Sequence, residues 1–338
     1  MFIILMIEMK KKFIIISTIF LILSISFLSG CLYEIPEDPN TFVRSILHDG
    51  YNRTYRIHIP PEIEQIDYPP IVFVLHGGGG TGENTERTLT LGGFNTLSDE
   101  HKFIVVYPDG IDRHWNDGRI VNDTAHQQNI DDVGFLSLLI DNLIEEFNGD
   151  PNKIFFTGIS NGAMMSYRLA FDIPEKVAAI APVAGAIPTD ILPANITGVP
   201  VSVFIISGTH DPLVPWDGGM IGTERHPRGT CISIPDSVMF WVNRNNCNTT
   251  AKSMWLPNIN ILDLCRVHCD IYEGGDNNTE VVLYEVKRGG HTWPGGYQYF
   301  PKFIIGRTCR DIYANEKIWE FFSLHPKQHN LKRTGEKF

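Results

Sequence analysis

Gly158-Ile159-Ser160-Asn161-Gly162 follows a short apolar run at 154–156 and precedes a helix-compatible stretch at 161–171, so the chain must turn sharply at Ser160. Glycine on both flanks fits a reversal from strand to helix, because a Cβ at either position would collide with neighbouring backbone. Such a turn lifts the serine hydroxyl clear of the sheet and makes Ser160 the leading candidate for a nucleophile. A five-residue pattern also arises by chance, so the rest of the chain has to carry the argument.

The apolar runs at 71–75, 103–107, 154–156, 177–183 and 201–207 are continuous rather than alternating, as expected of parallel strands covered on both faces. Between them, apolar residues at 133, 136, 139, 140, 143, 144 and 147 mark one helical face, with Asp131 or Asp132 placed to cap its N-terminus. Helical signals recur at 237–242 and 312–322. This alternation predicts an α/β chain with a doubly wound, mostly parallel sheet, helices on both faces, and a single domain over residues 51–323. Tyr55, Ile57 and Ile59 alternate with Arg56 and His58, which predicts a half-exposed early strand. Residues 245–278 hold three cysteines and several asparagines and read as an irregular, disulfide-pinned insertion before a last strand at 281–286.

Lys10-Lys11-Lys12 precedes the apolar stretch 13–27 and then Leu28-Ser29-Gly30-Cys31, the layout of an export signal. Leu-Ser-Gly-Cys resembles the lipobox of prokaryotic lipoproteins, which implies lipid attachment at Cys31 and membrane contact through that anchor alone. An uncleaved anchor puts the folded domain on the same side, outside the cytoplasm, although the run falls short of the about 20 apolar residues a span needs. Residues 32–50 then form a tether, and 324–338 a basic, solvated tail. With 28 Lys+Arg against 39 Asp+Glu, a net charge of −11 argues against nucleic acid as a partner. Outside Cys31, the five cysteines at 231, 247, 265, 269 and 309 suggest two disulfides and one free thiol. Cys265 and Cys269 lack a second ligand pair at zinc-like spacing, so no metal is expected.

An acid and a base are expected after the nucleophile in the order serine, aspartate, histidine, each behind a strand. Asp211 lies 51 residues after Ser160 (211 − 160), directly behind the run at 201–207. His291 follows 80 residues later (291 − 211), behind the run at 281–286. An Asp-Pro pair is also a common turn and a loop histidine is often simply solvated, so it is the order of the set that points to catalysis. His76-Gly77-Gly78-Gly79-Gly80 follows the strand at 71–75 and lacks the lysine of a phosphate loop. It is suited to offer the N–H of Gly77 or Gly78, with that of Asn161, to a developing oxyanion.

At these positions the chain resembles the secreted poly(3-hydroxybutyrate) depolymerase and feruloyl esterase family. The likeness rests on Gly158 to Met165, Tyr107-Pro108-Asp109-Gly110 with Trp115-Asn116, Asp131-Asp132-Val133, and Gly290-His291-Thr292-Trp293-Pro294-Gly295-Gly296. It implies an α/β-hydrolase fold, a Ser160–Asp211–His291 triad, an ester substrate (a feruloyl or acetyl polysaccharide ester or a polyhydroxyalkanoate), and no cofactor. Trp293 and Trp115 are the candidates for substrate contact, with Trp216 a third aromatic near the motif loops. Two alternatives share the scaffold: a serine peptidase of prolyl-oligopeptidase type, and a surface lipoprotein that uses the fold as a non-catalytic binding module.

Overall fold

The computed structural model describes residues 38–193 and 197–328; the export segment with Cys31 and residues 329–338 of the tail lie outside the described residues. The solvated tail expected from 324 is corrected at its start, where Leu324 ends a helix, His325 is buried and Lys327 bonds to the Asn152 and Pro174 carbonyls. The first elements are β1 (Thr41–His48) and β2 (Tyr51–His58), an antiparallel pair joined by Asp49-Gly50. Both loop residues have positive φ, 46° and 80°, the requirement of a two-residue hairpin turn. The tether expected over 32–50 is therefore corrected from Thr41 onward. Arg56 and His58 on β2 are not left in water either: Arg56 pairs with Glu86, and His58 is fully buried with Nε2 3.0 Å from Asp99.

From there strand and helix alternate. The order is β3 (Ile71–Leu75), α1 (Gly93–His101), β4 (Ile104–Pro108), α2 (Asp132–Phe147), β5 (Ile154–Ile159), α3 (Asn161–Asp172), β6 (Ala179–Val183) and β7 (Ser202–Gly208). A separate hairpin, β8 (Gly219–Thr223) and β9 (His226–Cys231), precedes α4 (Ile234–Arg244). The chain closes with β10 (Lys252–Trp255), β11 (Arg266–Tyr272), β12 (Val281–Lys287) and α5 (Ala314–Leu324). Ten strands form one sheet in the order β1-β2-β4-β3-β5-β6-β7-β12-β11-β10, parallel from β4 to β12 and antiparallel at both ends.

The continuous apolar runs are explained by what covers each face. Ile71, Phe73 and Leu75 join a core with α2, α3 and α4, whereas Val72 and Val74 join a second core with α1 and α5. Alternate side chains of one strand thus serve two cores, so no position along it faces water. At the start of α2 the two aspartates divide the work. Asp131 accepts the Gly134 N–H at 2.9 Å as the cap, while Asp132 is fully buried, 2.5 Å from Arg53.

Two expectations for the cysteine-rich segment are corrected. Residues 245–278 are not an irregular insertion but carry β10 and β11, which extend the sheet antiparallel from β12. Cys265, Val267 and Cys269 are all buried in the second core, the period-two signature of a strand face. Nor are two disulfides formed: Cys231, Cys247, Cys265, Cys269 and Cys309 are all free, buried thiols. Asp263, Cys265 and Cys309 bring one donor atom each within 4.8 Å of one another. Asp263 is already engaged there, accepting the N–H groups of Cys265 and Arg310 at 2.7 and 2.5 Å. Among the described residues no helix is long and apolar enough to cross a membrane.

Candidate active site

Ser160 sits where β5 ends and α3 begins, with φ 57° and ψ −117°. A residue bearing a Cβ rarely holds this conformation, which costs on the order of 1–3 kcal/mol and persists only where surrounding structure enforces it. The enforcement is visible: the Ser160 N–H donates to the Val183 carbonyl at 3.0 Å, and its own carbonyl accepts from Met164 at 2.9 Å. Both flanking glycines are sterically obligatory. A Cβ on Gly162 would stand 2.5 Å from the Leu75 carbonyl oxygen, and one on Gly158 would stand 2.7 Å from the same atom.

The acid and base stand at the same edge of the sheet, behind the carboxyl ends of β7 and β12. Asp211 Oδ2 lies 2.7 Å from His291 Nδ1, both residues being buried. The other carboxylate oxygen accepts the N–H groups of Leu213 and Val214 at 2.8 Å each, which holds the side chain in place. Because a carboxylate can only accept, Nδ1 carries the proton and Nε2 is left as the basic nitrogen. His291 is fixed from its backbone as well, donating to the Ile305 carbonyl and accepting from the Tyr299 hydroxyl, both at 2.6 Å.

The glycine loop lies against the elbow. A Cβ on Gly77 would stand 3.6 Å from the Ser160 Cβ. The loop's later N–H groups are used internally, Gly79 by the Arg113 carbonyl and Gly80 by the Gly77 carbonyl, at 2.8 and 2.9 Å. Among the described residues no acceptor takes the N–H of Gly77, Gly78 or Asn161, so all three donors expected from the sequence are free.

Sequence reasoning missed the group that sets this loop. His76 is fully buried, and burial lowers its pKa to about 4 despite the adjacent Gly77 carbonyl. Its Nε2 accepts the Gly110 N–H at 2.9 Å, so Nδ1–H donates to the Gly77 carbonyl at 2.8 Å. The uncharged ring therefore braces the loop beside Ser160.

A second unforeseen feature is a buried polar network behind Asn161. The Asn161 amide pairs with the backbone of Trp115, accepting at 2.8 Å and donating at 2.9 Å, and also donates to Asp117 Oδ2 at 2.7 Å. Asp117, fully buried, is gripped by Arg119 Nη2 at 2.8 Å and His126 Nε2 at 2.9 Å. Burial alone would raise its pKa, but Arg119 and His126 hold it well below the usual carboxylate range. His126 also meets Asp123 at 2.6 Å. Burial would depress the imidazole, yet the two carboxylates outweigh it and hold its pKa up at about 9, against 6.5 for a free ring.

A raised histidine pKa has a definite sign. The stabilisation by protonated His126 is complete below pH 6.5 and is lost as pH rises through about 9. Thermal unfolding followed across that window should show a midpoint that falls with pH. The fall should be shallower in His126→Gln; an identical slope in both proteins would contradict the charged network.

Neither tryptophan proposed for substrate contact is available for it. Trp293 and Trp115 are fully buried. Trp293 Nε1 donates to Asn315 Oδ1 at 2.8 Å and its ring packs edge-on to Phe94, tying the His291 loop to α5 and α1. Trp115 Nε1 donates to the His76 carbonyl at 3.0 Å. Both became site candidates by sequence proximity to motif loops, whereas their rings point into the cores. Trp216 keeps partial exposure.

Several known proteins and one family model are similar to this chain. A family model described as phospholipase/carboxylesterase matches residues 67–226, a span with the glycine loop, Ser160 and Asp211 but not His291. A protein of Nocardia uniformis subsp. tsuyamanensis that carries an esterase name, NocK, is 29% identical over 84% of this chain and 83% of its own. A bifunctional acetylxylan esterase/xylanase of Neocallimastix patriciarum is 28% identical over 62% of this chain, which spans only 29% of that longer protein. Among solved structures, an acetyl xylan esterase from Aspergillus awamori superposes with a TM-score of 0.55 at 16% identity, over 83% of this chain and 99% of its own. That likeness shows the fold.

Proposed function

We propose that the chain is a carboxylic ester hydrolase in which Ser160, His291 and Asp211 carry out ester cleavage through an acyl-enzyme, a reading supported by the likeness to a carboxylesterase family model and to an esterase-named relative. The observation that carries this reading is that a serine held at positive φ behind β5 and a buried, hydrogen-bonded Asp211–His291 pair behind β7 and β12 stand at the same edge of the sheet.

In this reading Ser160 Oγ attacks the acyl carbon while His291 Nε2 takes the hydroxyl proton. Asp211 keeps the ring in the tautomer that leaves Nε2 free and stabilises the imidazolium. The carbonyl oxygen becomes an oxyanion held by the N–H groups of Asn161 and Gly77 or Gly78, each worth about 3–4 kcal/mol in the transition state. Collapse breaks the ester C–O bond, and the alcohol leaves with the proton from His291. Water, deprotonated by His291, then attacks the acyl carbon and releases the acid and free Ser160.

The substrate class is an ester derived from a polymer: a feruloyl or acetyl group on polysaccharide, or a polyhydroxyalkanoate. The acetylxylan activity in the name of one relative supports the polysaccharide branch, and the export-type N-terminus supports action outside the cytoplasm, with Cys31 as a lipid anchor. A fluorophosphonate probe should label Ser160, read out by peptide mass. Methyl ferulate, p-nitrophenyl acetate and a hydroxybutyrate oligomer then rank the branches. Labelling of a different serine, or none with hydrolysis intact, would remove Ser160 from the reaction.

A further inference from the structure

Beside the glycine loop the structure holds a cleft, lined by two arginines and two aspartates, that ester cleavage itself does not require. It has a volume of about 790 Å³ and is lined by Arg225 and Arg228 from the β8–β9 hairpin, facing His114, Asp112 and Asp123. Arg228 reaches the catalytic edge: its Nη1 lies 3.6 Å from where a Cβ would stand on Gly78, and His114 Nε2 lies 3.3 Å from the same point. Gly78 follows Gly77, the residue that lies against Ser160, so this guanidinium stands beside the glycine loop, one residue along the chain from that contact.

The cation is held in place without being neutralised. The Arg228 carbonyl accepts from Arg119 Nη1 at 2.7 Å, which ties the hairpin to the buried Asp117 network. Its Nη1 donates to His114 Nε2 at 3.2 Å, and His114 Nδ1 is directed at the Asp112 carbonyl at 2.8 Å. Among the described residues neither Arg225 nor Arg228 pairs with a carboxylate. Of the two cleft acids, Asp123 is engaged by His126 and Asp112 accepts from the Thr124 hydroxyl at 2.6 Å. Arg228 is thus an exposed guanidinium on an anchored hairpin backbone, beside Gly78 and without a carboxylate partner, on a chain with a net charge of −11.

Resting on the esterase reading above, we propose that this cleft is a subsite for a carboxylate on the substrate, received by Arg228 with Arg225 in support. A planar guanidinium meets a carboxylate with two parallel hydrogen bonds, which sets orientation as well as affinity. The substrate is then an acidic ester. The carboxylate stands either on the acyl side, as in the half-ester of a dicarboxylic acid, or on the alcohol side, as in an esterified uronate-bearing sugar.

The test compares charged and neutral esters that otherwise match. On the acyl side the pair is p-nitrophenyl hydrogen succinate and p-nitrophenyl butyrate; on the alcohol side it is 4-acetoxybenzoate and its methyl ester. The natural protein should show a charged-to-neutral kcat/KM ratio that drops about tenfold in Arg228→Gln in at least one pair, is partly kept in Arg228→Lys, and falls with added salt. The pair that responds identifies the side. Ratios equal in the natural protein and Arg228→Gln in both pairs overturn the proposal while leaving the esterase reading intact. Absence of turnover on all four esters, with no fluorophosphonate labelling of Ser160, would overturn both.

Discussion

Ser160→Ala will lower kcat on every ester the protein accepts by about a million-fold, with little change in melting temperature. Removing the nucleophile of a serine triad costs about as much as removing all three members, because the parts act as one unit. Any remaining rate, about 10³–10⁴ above water, would come from the donors of Asn161 and the glycine loop, which the substitution leaves untouched. Stability should hold because alanine inherits the same backbone strain at φ 57°, and no helix-capping bond from the serine side chain is lost. The measurement is single-turnover and steady-state hydrolysis of p-nitrophenyl acetate beside a thermal melt. A variant that keeps more than about a tenth of the natural rate would show that the elbow serine is not the nucleophile.

Asp117→Ala will destabilise the fold by about 3–5 kcal/mol, the cost of stripping one member from a buried charge network. Arg119 and His126 would face each other without the carboxylate that now separates them, and Asn161 would lose one of its three side-chain hydrogen bonds. Asp117→Asn should lose less, because an amide still fills the space and accepts one bond. Esterase activity should fall with it, since in the proposed mechanism the Asn161 backbone donates to the oxyanion, and Arg119 anchors the hairpin that carries Arg228. Urea unfolding at neutral pH gives the stability, and the kcat/KM ratio of the charged and neutral esters reports on the hairpin separately. A loss under about 1 kcal/mol in Asp117→Ala would mean that the network is ornamental to the fold.

Much of this site was legible in the chain because it is written in local signals. A sharp strand-to-helix turn needs glycine at both flanks, and the collisions that a Cβ would make at Gly158 and Gly162 show why. The apolar runs marked the parallel strands, since burial on both faces leaves no room for polar alternation. Loops behind successive parallel strands emerge at one edge, so the order Ser160, Asp211, His291 already implied a meeting place.

Other features were misread where a local signal has two meanings. Cys265 and Cys269 suggested cross-links, but they lie with Val267 on the buried face leading into β11. Residues 41–48 were assigned to a tether together with the polar, proline-containing stretch before them; pairing with β2 through the Asp49-Gly50 turn makes them a strand although its apolar residues are mostly exposed. Trp293 and Trp115 were chosen for their nearness to motifs, whereas burial decides whether a ring meets substrate.

The sequence by itself pointed to the reaction class, to the parallel strands with the helices between them, and to the residues proposed as nucleophile, acid and base, because turn chemistry, periodicity and chain order act over a few residues at a time. Only the tertiary structure decided the antiparallel strands at both ends of the sheet, the neutral His76 brace, the Asp117 network and the placement of Arg228. Those depend on groups far apart in the chain, Asn161 to Asp117 across 44 residues and Arg228 to His114 across 114. A charge shows its partners, and a ring its exposure, only when the fold has brought those distant segments together and removed the water between them.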